Sequence, residues 1–218
     1  PPMVEHYLAL STLLKDEDQA EDQQALNNAL TPHLNVSTSA RQSIQSKLQS
    51  ANIDSSIYVM CPGAEYGPSK RWPTEHFAAL AKELIEANPI NQIILIGSQG
   101  DRYLADEITS QANQNQNIHN WCGSTSLDEA IALIGMSKVV ISNDSGLMHI
   151  AAALKVPQVA IFGSSDPAHT PPLSDKAKVI WLNLPCSPCH KRECPLGHLK
   201  CLKDILPQQV LATLNTLQ

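Results

Sequence analysis

Short apolar runs alternate with amphipathic stretches along most of the chain. The apolar runs are predicted to be strands at residues 57–61, 92–96, 118–121, 138–142, 158–162 and 179–182. Helices are predicted at residues 74–87, 102–111, 127–135, 146–154 and 207–217. Because the strand candidates are apolar without alternation, they are expected to be buried on both faces. The pattern therefore predicts an α/β fold in which helices flank a parallel sheet.

The first 56 residues carry a different pattern. Residues 4–10 place apolar side chains at helical spacing, residues 15–19 are mostly charged, and residues 39–49 are a candidate for a short amphipathic helix. No strand is predicted before Ile57. We therefore expect residues 1–56 to be an interdomain tether with helices, and residues 57–218 to form the sheet domain.

Composition excludes several classes of function. The chain has 218 residues, 43% of them hydrophobic, and a formal net charge of −6. This hydrophobic fraction is sufficient for a core, whereas the acidic charge argues against a nucleic-acid partner held by overall basicity. No apolar run approaches the roughly 18–20 residues that span a bilayer, so no transmembrane segment is expected. The N-terminus also lacks the charged-then-apolar layout of a signal peptide.

Ligands of parallel α/β sheets bind beyond the carboxyl ends of the strands, so the loops that follow the strands are the candidate site. The first loop is Cys61-Pro-Gly-Ala-Glu-Tyr-Gly-Pro-Ser-Lys-Arg-Trp-Pro73. Gly63 lets a ligand approach the backbone, while Ser69, Lys70 and Arg71 supply a hydroxyl and two cations. These groups are suited to a phosphate. The alternative is a surface loop with ordinary basic residues.

The loop Asn143-Asp-Ser-Gly-Leu-Met-His149 is the most distinctive feature of the sequence. It follows a strand and opens an alanine-rich helix, for which Asp144 or Ser145 is the predicted N-cap. Free backbone N–H groups at a helix start suit a diphosphate, and Gly146 permits close approach. His149 lies about one turn into the helix and can face the same ligand. The alternative is a capped helix with a core histidine.

Three further loops complete this edge, at residues 97–101, 123–126 and 163–167. Asp101 is expected to accept hydrogen bonds from ribose hydroxyls, and the small residues of all three loops predict a concave cleft for a nucleotide. The chain contains neither Gly-x-Gly-x-x-Gly after a strand nor Gly-x-x-x-x-Gly-Lys-Ser/Thr, which disfavours a dinucleotide cofactor and an NTPase. Asp16-Glu-Asp18 lies in a polar stretch without a preceding strand, and we interpret it as a solvated charge run rather than a metal site.

Four of the six cysteines crowd into the segment from Cys186 to Cys201. Cys186 and Cys189 have the Cys-x-x-Cys spacing that favours zinc, and Cys194 and Cys201 would complete four thiolates. The second pair is separated by six residues, unlike the pairs of a standard zinc ribbon. Disulfides in an oxidising compartment and reduced thiols packed in a loop are the other interpretations. The metal status of these cysteines is left unknown.

Three segments of the chain together resemble one protein family. They are the loop from Cys61 to Pro73, the run Ser142-Asn-Asp-Ser-Gly-Leu-Met-His-Ile-Ala-Ala-Ala-Leu154, and Phe162-Gly-Ser-Ser-Asp-Pro167 followed by Thr170-Pro-Pro172. They resemble the ADP-heptose:lipopolysaccharide heptosyltransferases of glycosyltransferase family 9, and the first and last segments look most like the heptosyltransferase II subfamily. The cysteine-rich tail is also similar to that of many members. The resemblance covers residues from about 57 to the C-terminus.

The resemblance implies both a fold and a function. Members have the two-domain GT-B fold, with an N-terminal acceptor domain and a C-terminal, Rossmann-like nucleotide-sugar domain. This chain is then expected to be the ADP-heptose-binding part, inactive alone because the acceptor domain and its general-base aspartate are absent. The implied reaction transfers L-glycero-D-manno-heptose from ADP-heptose to heptose I of the lipopolysaccharide inner core, with inversion. No cofactor is implied. The implied location is cytoplasmic, and the family's acceptor would place the protein peripherally at the inner-membrane face that presents it.

The resemblance also assigns site residues. Lys70 matches the family's donor-phosphate lysine and is the expected catalytic cation, in the same loop as the donor-binding candidates Gly63 and Ser69. Asp101 falls where an acidic residue contacts the ribose of the donor. The remaining donor-binding positions lie in and beside the loop that closes on the diphosphate: Asp144, Ser145, Gly146, Leu147 and His149.

Two other interpretations stay open. Another nucleotide-sugar transferase, or half of an epimerase, would use a similar domain. A comparison of the affinities for ADP and UDP would distinguish these enzymes from a heptosyltransferase. A zinc-stabilised interaction module would hold stoichiometric zinc, unfold with a chelator and bind no nucleotide.

Overall fold

All six predicted strands are present in the computed structural model, which describes residues 32–54 and 56–217. The strands are β1 (Ile57–Cys61), β2 (Gln92–Leu95), β3 (Ile118–Asn120), β4 (Val139–Asn143), β5 (Gln158–Ile161) and β6 (Ala177–Ile180). The helices are α1 (Thr38–Ser50), α2 (Thr74–Ala87), α3 (Arg102–Gln111), α4 (Leu127–Met136), α5 (Gly146–Ala153), α6 (Lys200–Lys203) and α7 (Pro207–Asn215). The helix predicted at residues 4–10 and the charge run at Asp16 lie outside the described residues.

Strand β6 departs most from its predicted position, because it begins two residues earlier than the apolar run at 179–182. It is an edge strand with partly exposed side chains, and Val179 is 40% exposed. A strand of this kind does not need the continuous apolar run that marks a buried strand.

The helices of the described part are short. The longest, α2, has 14 residues. None of the helices within residues 32–54 and 56–217 has the length and hydropathy needed to cross a bilayer.

The sheet is parallel throughout, and its strand order is β3-β2-β1-β4-β5-β6. The two central strands, β1 and β4, are buried at every position, which explains their apolar sequences. Strands β1 to β3 are added outward from the centre to one edge of the sheet. The chain then returns to the centre, and strands β4 to β6 are added outward to the other edge. The strand order therefore reverses between β1 and β4, and a crevice opens beyond their carboxyl ends.

Two hydrophobic layers cover the two faces of the sheet. One layer contains Trp72 and Phe77, whose rings pack edge to face with centroids 4.8 Å apart. The other contains Ile44 of α1 together with Val59 of β1 and Leu133 of α4. Parallel sheets are almost always covered on both faces, because both faces of their strands are apolar.

Helix α1 belongs to the second of these layers. Ser37 caps the helix by accepting a hydrogen bond from the Ala40 N–H (3.2 Å), and Ile44 is fully buried. Lys47 forms a 2.8 Å ion pair with Glu129 of α4. From α1 onward, the segment predicted to be tether and helices therefore packs on the sheet domain, and residue 57 marks the start of the sheet rather than of the core.

We expect Ile44→Ala to lower the free energy of unfolding by about 2–5 kcal/mol, because it leaves a cavity in a fully packed layer. Urea unfolding followed by circular dichroism measures the change. Gln45→Ala, at an exposed position of the same helix, is the control and should stay within about 0.5 kcal/mol. A loss below about 1 kcal/mol for Ile44→Ala would mean that α1 does not unfold together with the sheet.

Candidate active site

Asn143 joins the two loops that border the crevice. It is the last residue of β4 and is fully buried. Its Oδ1 accepts a hydrogen bond from the Trp72 N–H (2.9 Å), and its Nδ2 donates to the Pro62 carbonyl (2.8 Å). Both partners lie in the loop after β1, so this one side chain fixes that loop against the end of β4. A buried amide with both ends satisfied holds its surroundings in a single arrangement.

Lys70 and Asp144 form an ion pair across the crevice. The Lys70 Nζ donates to the Asp144 Oδ2 at 2.5 Å, and the Ser165 hydroxyl donates to the same oxygen at 2.6 Å. The Asp144 side chain is 6% exposed and the Lys70 side chain 20%. The carboxylate is therefore held by protein donors. Because an ammonium has three N–H groups, Lys70 keeps donors for another partner.

The amino end of helix α5 follows directly after Asp144. Ser145 occupies the predicted N-cap position, but its side chain makes no capping hydrogen bond. Its Oγ is buried and has no hydrogen-bond partner in the described part of the chain. The first N–H groups of a helix have no acceptor within the helix, and the helix dipole is positive there. Together with Lys70, these groups form a site suited to a phosphate.

A cavity of about 370 Å³ opens beside this helix end. Five of the predicted donor-binding residues line it: Gly63, Asp101, Ser145, Gly146 and Leu147. The other four lie outside its lining: Ser69, Lys70, Asp144 and His149. The volume is in the range of small-ligand sites. Its lining includes the first two residues of α5, so the cavity and the Lys70–Asp144 pair are neighbours.

Apolar side chains that the sequence analysis did not assign to the site form much of the cavity wall. They include Ile96, Leu127, Ala130 and Ile150. Leu127 is 64% exposed, so this large side chain stands at the open rim. In the sequence, Ile96 and Ile150 belong to apolar runs, which predict core positions rather than a ligand site. Leu127 is the first residue of a predicted helix, and nothing in the sequence distinguishes it from an ordinary surface residue. Only the sheet edge shared by their loops indicated that they would meet.

Asp101 and Gly63 fit closely against each other. The Asp101 Oδ2 accepts hydrogen bonds from the N–H (2.9 Å) and the hydroxyl (2.7 Å) of Ser98. A Cβ at Gly63 would lie only 2.3 Å from the Asp101 Cγ. A side chain at position 63 would therefore displace the Asp101 carboxylate, a constraint that the sequence did not predict.

Ser69 and His149 lie in contrasting environments: the buried hydroxyl of Ser69 was not predicted, whereas the exposure of His149 argues against the alternative of a core histidine. Ser69 is 1% exposed, and its hydroxyl donates to the Lys191 carbonyl inside the protein. His149 is exposed rather than packed in the core. Desolvation by neighbouring protein atoms lowers the pKa of its imidazole; Lys70 lowers this pKa further, and Asp144 opposes the shift. The net effect favours the neutral form of the His149 imidazole.

Arg71, the second cation of the loop after β1, is engaged within the protein. Its guanidinium donates to the Ala64 carbonyl (3.1 Å) and to the Tyr103 hydroxyl (2.7 Å). Arg71 therefore braces the loop, while Lys70 extends toward α5.

The four cysteines of the C-terminal segment line one small cavity of about 20 Å³. All six cysteines of the chain lie in its described part, and each is a free thiol. Within residues 32–54 and 56–217, no group of three or more His, Cys, Asp or Glu side chains is placed to hold a metal ion. Backbone N–H groups, that of Leu199 foremost, donate to the Cys194 sulfur and lower its pKa, whereas burial raises the pKa of Cys201 to about 11.

The parallel sheet, with its strand order reversing between β1 and β4, defines a Rossmann-like class of domain. The family model described as "Glycosyltransferase family 9 (heptosyltransferase)" matches residues 1–200. The chain therefore belongs to glycosyltransferase family 9, as the sequence motifs predicted.

Several curated relatives align with the whole chain. Lipopolysaccharide heptosyltransferase 2 of Escherichia coli K12 is 42% identical over 222 residues, covering 100% of this chain and 62% of the relative. Lipooligosaccharide heptosyltransferase 2 of Haemophilus influenzae is 36% identical over 223 residues, covering 100% of this chain and 63% of the relative. The chain thus spans less than two thirds of the length of these relatives.

Solved structures support the same assignment. The structure of E. coli ADP-heptose LPS heptosyltransferase II is 40% identical in sequence, with a TM-score of 0.78. The match covers 100% of this chain and 62% of the solved chain. An E. coli heptosyltransferase solved with ADP is 20% identical, with a TM-score of 0.57. The match covers 80% of this chain and 48% of the solved chain. At this identity, the likeness supports the fold alone. The predicted α/β, Rossmann-like fold and the predicted resemblance to the heptosyltransferase II subfamily are confirmed.

We expect Gly63→Ala to destabilise the chain by about 1–3 kcal/mol, because the new Cβ displaces the Asp101 carboxylate from Ser98. Urea unfolding measures the loss. Gly146→Ala is the matched control, since a Cβ there meets nothing within 4 Å, and it should change stability by no more than about 0.5 kcal/mol.

A double variant tests the cause of this loss. Asp101→Ala removes the atoms that a Cβ at Gly63 would strike, so adding Gly63→Ala to it should cost much less than in the native chain. An equal loss in both backgrounds would contradict the proposed clash.

Proposed function

We propose that this chain is the donor-binding part of an inverting heptosyltransferase that uses ADP-heptose. The observation that carries this proposal is the Lys70 ammonium, held by Asp144 beside the uncapped amino end of α5. An ammonium and open N–H groups at one end of a cavity suit a nucleoside diphosphate. The choice of nucleotide sugar is supported by the relatives, which are named heptosyltransferase 2.

In the proposed complex, the diphosphate lies between Lys70 and helix α5. Lys70 gives one N–H to Asp144 and turns its other donors to phosphate oxygens. Gly146 and Leu147 contribute backbone N–H groups from the first turn of α5, and the Ser145 hydroxyl gains the partner that it lacks. Asp144 is itself an anion and repels phosphate, so its role is to hold Lys70 rather than to contact the donor.

We place the nucleoside of the donor in the cavity of about 370 Å³. Its apolar wall, with Ile96, Leu127 and Ala130, suits the faces of a purine ring. Asp101 is oriented by Ser98 through its Oδ2, which leaves its Oδ1 to accept hydrogen bonds from ribose hydroxyls.

The proposed chemistry is a displacement at C1 of the heptose. An acceptor hydroxyl forms the new C1–O bond from the face opposite to ADP, so the configuration at C1 inverts. The bond from C1 to the phosphate oxygen breaks, and ADP leaves with the bonding electrons. Lys70 and the N–H groups of α5 stabilise the charge that develops on ADP, and each such donor contributes about 3 kcal/mol to the lowering of the barrier.

The proposal also covers the acceptor side of the reaction. We propose that heptose I of the lipopolysaccharide inner core supplies the attacking hydroxyl at the cytoplasmic face of the inner membrane, where the protein associates peripherally. The hydroxyl proton passes to a general base in an acceptor domain, which we assign to the additional length of the relatives. The chain alone then binds the donor without transferring heptose.

We expect the chain to bind ADP, and Lys70→Ala to weaken the affinity by about 10–100-fold, because a hydrogen bond from a charged donor is lost. Isothermal titration calorimetry measures both affinities. Lys138→Ala is the matched control. Lys138 precedes β4, so it lies at the amino ends of the strands, away from the proposed site at their carboxyl ends. Its ammonium lies 5.5 Å from the Tyr58 ring centre. The affinity for ADP should therefore not change in Lys138→Ala.

The same titration with UDP tests the choice of nucleotide. The proposal expects ADP to bind more tightly than UDP, and tighter binding of UDP would instead favour another nucleotide-sugar transferase or an epimerase. A native chain without affinity for ADP, or an unchanged affinity in Lys70→Ala, would refute the donor site.

A further inference from the structure

The hydroxyl of Ser69 faces away from the donor cavity, although Ser69 is the neighbour of Lys70. Ser69 is 1% exposed and does not line that cavity. Its hydroxyl donates to the Lys191 carbonyl, and its oxygen lies 3.0 Å from the Ser164 Oγ. Because a hydroxyl has only one hydrogen, Ser164 is the donor in this second bond. The hydroxyl of Ser69 is therefore occupied inside the protein.

The backbone of Ser69 is bonded to the same part of the chain. Its N–H donates to the Arg192 carbonyl (3.3 Å), and its carbonyl accepts from the Ser164 N–H (3.3 Å). The Ser164 carbonyl accepts in turn from the N–H groups of Cys189 (3.1 Å) and His190 (2.8 Å). Ser69 is thus enclosed by Ser164 and by the cysteine-rich segment, which we define as residues 186–201.

Two further contacts extend this enclosure to the residues before Ser69. The Tyr66 hydroxyl donates to the His190 carbonyl (2.8 Å), and the Tyr66 ring centre lies 5.2 Å from the Lys70 Nζ. Gly67 has a φ of +142°, and a Cβ there would lie 2.8 Å from the Arg192 carbonyl oxygen. The cysteine-rich segment therefore lies against the turn that leads directly into Lys70.

This enclosure limits the freedom of Lys70. A lysine side chain has many rotamers, and ordering them on binding a phosphate would weaken the affinity. In this structure, the preceding residue is fixed on all sides, and the ammonium is held by Asp144. Lys70 is therefore ordered at both ends of its side chain before any donor binds.

We propose that Ser69 is a positioning residue that couples the cysteine-rich segment to Lys70, and that it does not contact the donor. This inference rests on the proposed function, because it assigns Lys70 to the diphosphate. It replaces the expectation that Ser69 offers its hydroxyl to a phosphate. It also gives the cysteine-rich segment a role in donor affinity, although none of its residues lines the donor cavity.

A double-mutant cycle on the whole chain tests this coupling. ADP affinity is measured by calorimetry for the native chain, Ser69→Ala, Lys70→Ala and the double variant. Ser69→Ala is expected to weaken ADP binding about tenfold in the native background, because Lys70 is displaced by a fraction of an ångström. In the Lys70→Ala background it should weaken binding less than about twofold, because there is no ammonium left to position.

Two more variants separate positioning from general damage to the fold. Ser137→Ala is the matched control: it removes a hydroxyl that donates to the Ile134 carbonyl (2.7 Å) at the end of α4, and should leave ADP affinity unchanged. Tyr66→Phe removes only the bond to His190 from a side chain that is 43% exposed, so folding should be unaffected. It should weaken ADP binding about two- to threefold, and only when Lys70 is present.

The outcomes distinguish this inference from the proposed function. Equal losses with and without Lys70 would make Ser69 a direct ligand, and unchanged affinity in both Ser69→Ala and Tyr66→Phe would remove its positioning role. Either result overturns the inference and leaves the donor site intact. Native affinity in Lys70→Ala, or no ADP binding by the native chain, overturns the proposed function and this inference together.

Discussion

The ion pair of Lys70 and Asp144 is the contact on which the carboxyl edge of the sheet depends. It joins the loop after β1 to the loop after β4, where the strand order reverses. A carboxylate that is only 6% exposed is costly without partners, and the Lys70 ammonium and the Ser165 hydroxyl supply them. Loss of either charge would leave the other poorly compensated, so the two loops hold each other in place.

Uncharged contacts support this pair from two sides. At the end of the central strand β4, the Asn143 side chain forms hydrogen bonds with Trp72 and Pro62 of the loop after β1. Ser69 bonds the same loop to the C-terminal part of the chain. The loop therefore has few ways to move, and the ammonium at its end behaves as part of a rigid frame. A rigid frame suits a site that must stabilise charge at a defined position.

Much of the fold was predictable because burial leaves a direct mark on the sequence. Strands β1 and β4 are buried at every position and appear in the sequence as apolar runs. For the partly exposed edge strand β6, the predicted position was two residues too late in the sequence. The meeting of the candidate-site loops was predictable too, since the loops after parallel strands share one edge. The direction of a loop side chain was not: Ser69 faces inward because its acceptor, Lys191, lies 122 residues further along the chain. Local pattern carries no information about such a partner.

The two charges at the crevice come from positions 74 residues apart in the sequence. The loops that carry them follow β1 and β4, which pair side by side, so the native arrangement of the two charges depends on that pairing. A nucleotide that needs both loops consequently binds the folded state alone and draws the folding equilibrium toward it as its concentration rises. Under the proposed function, the supply of donor and the resistance of the chain to unfolding are therefore linked in one equilibrium.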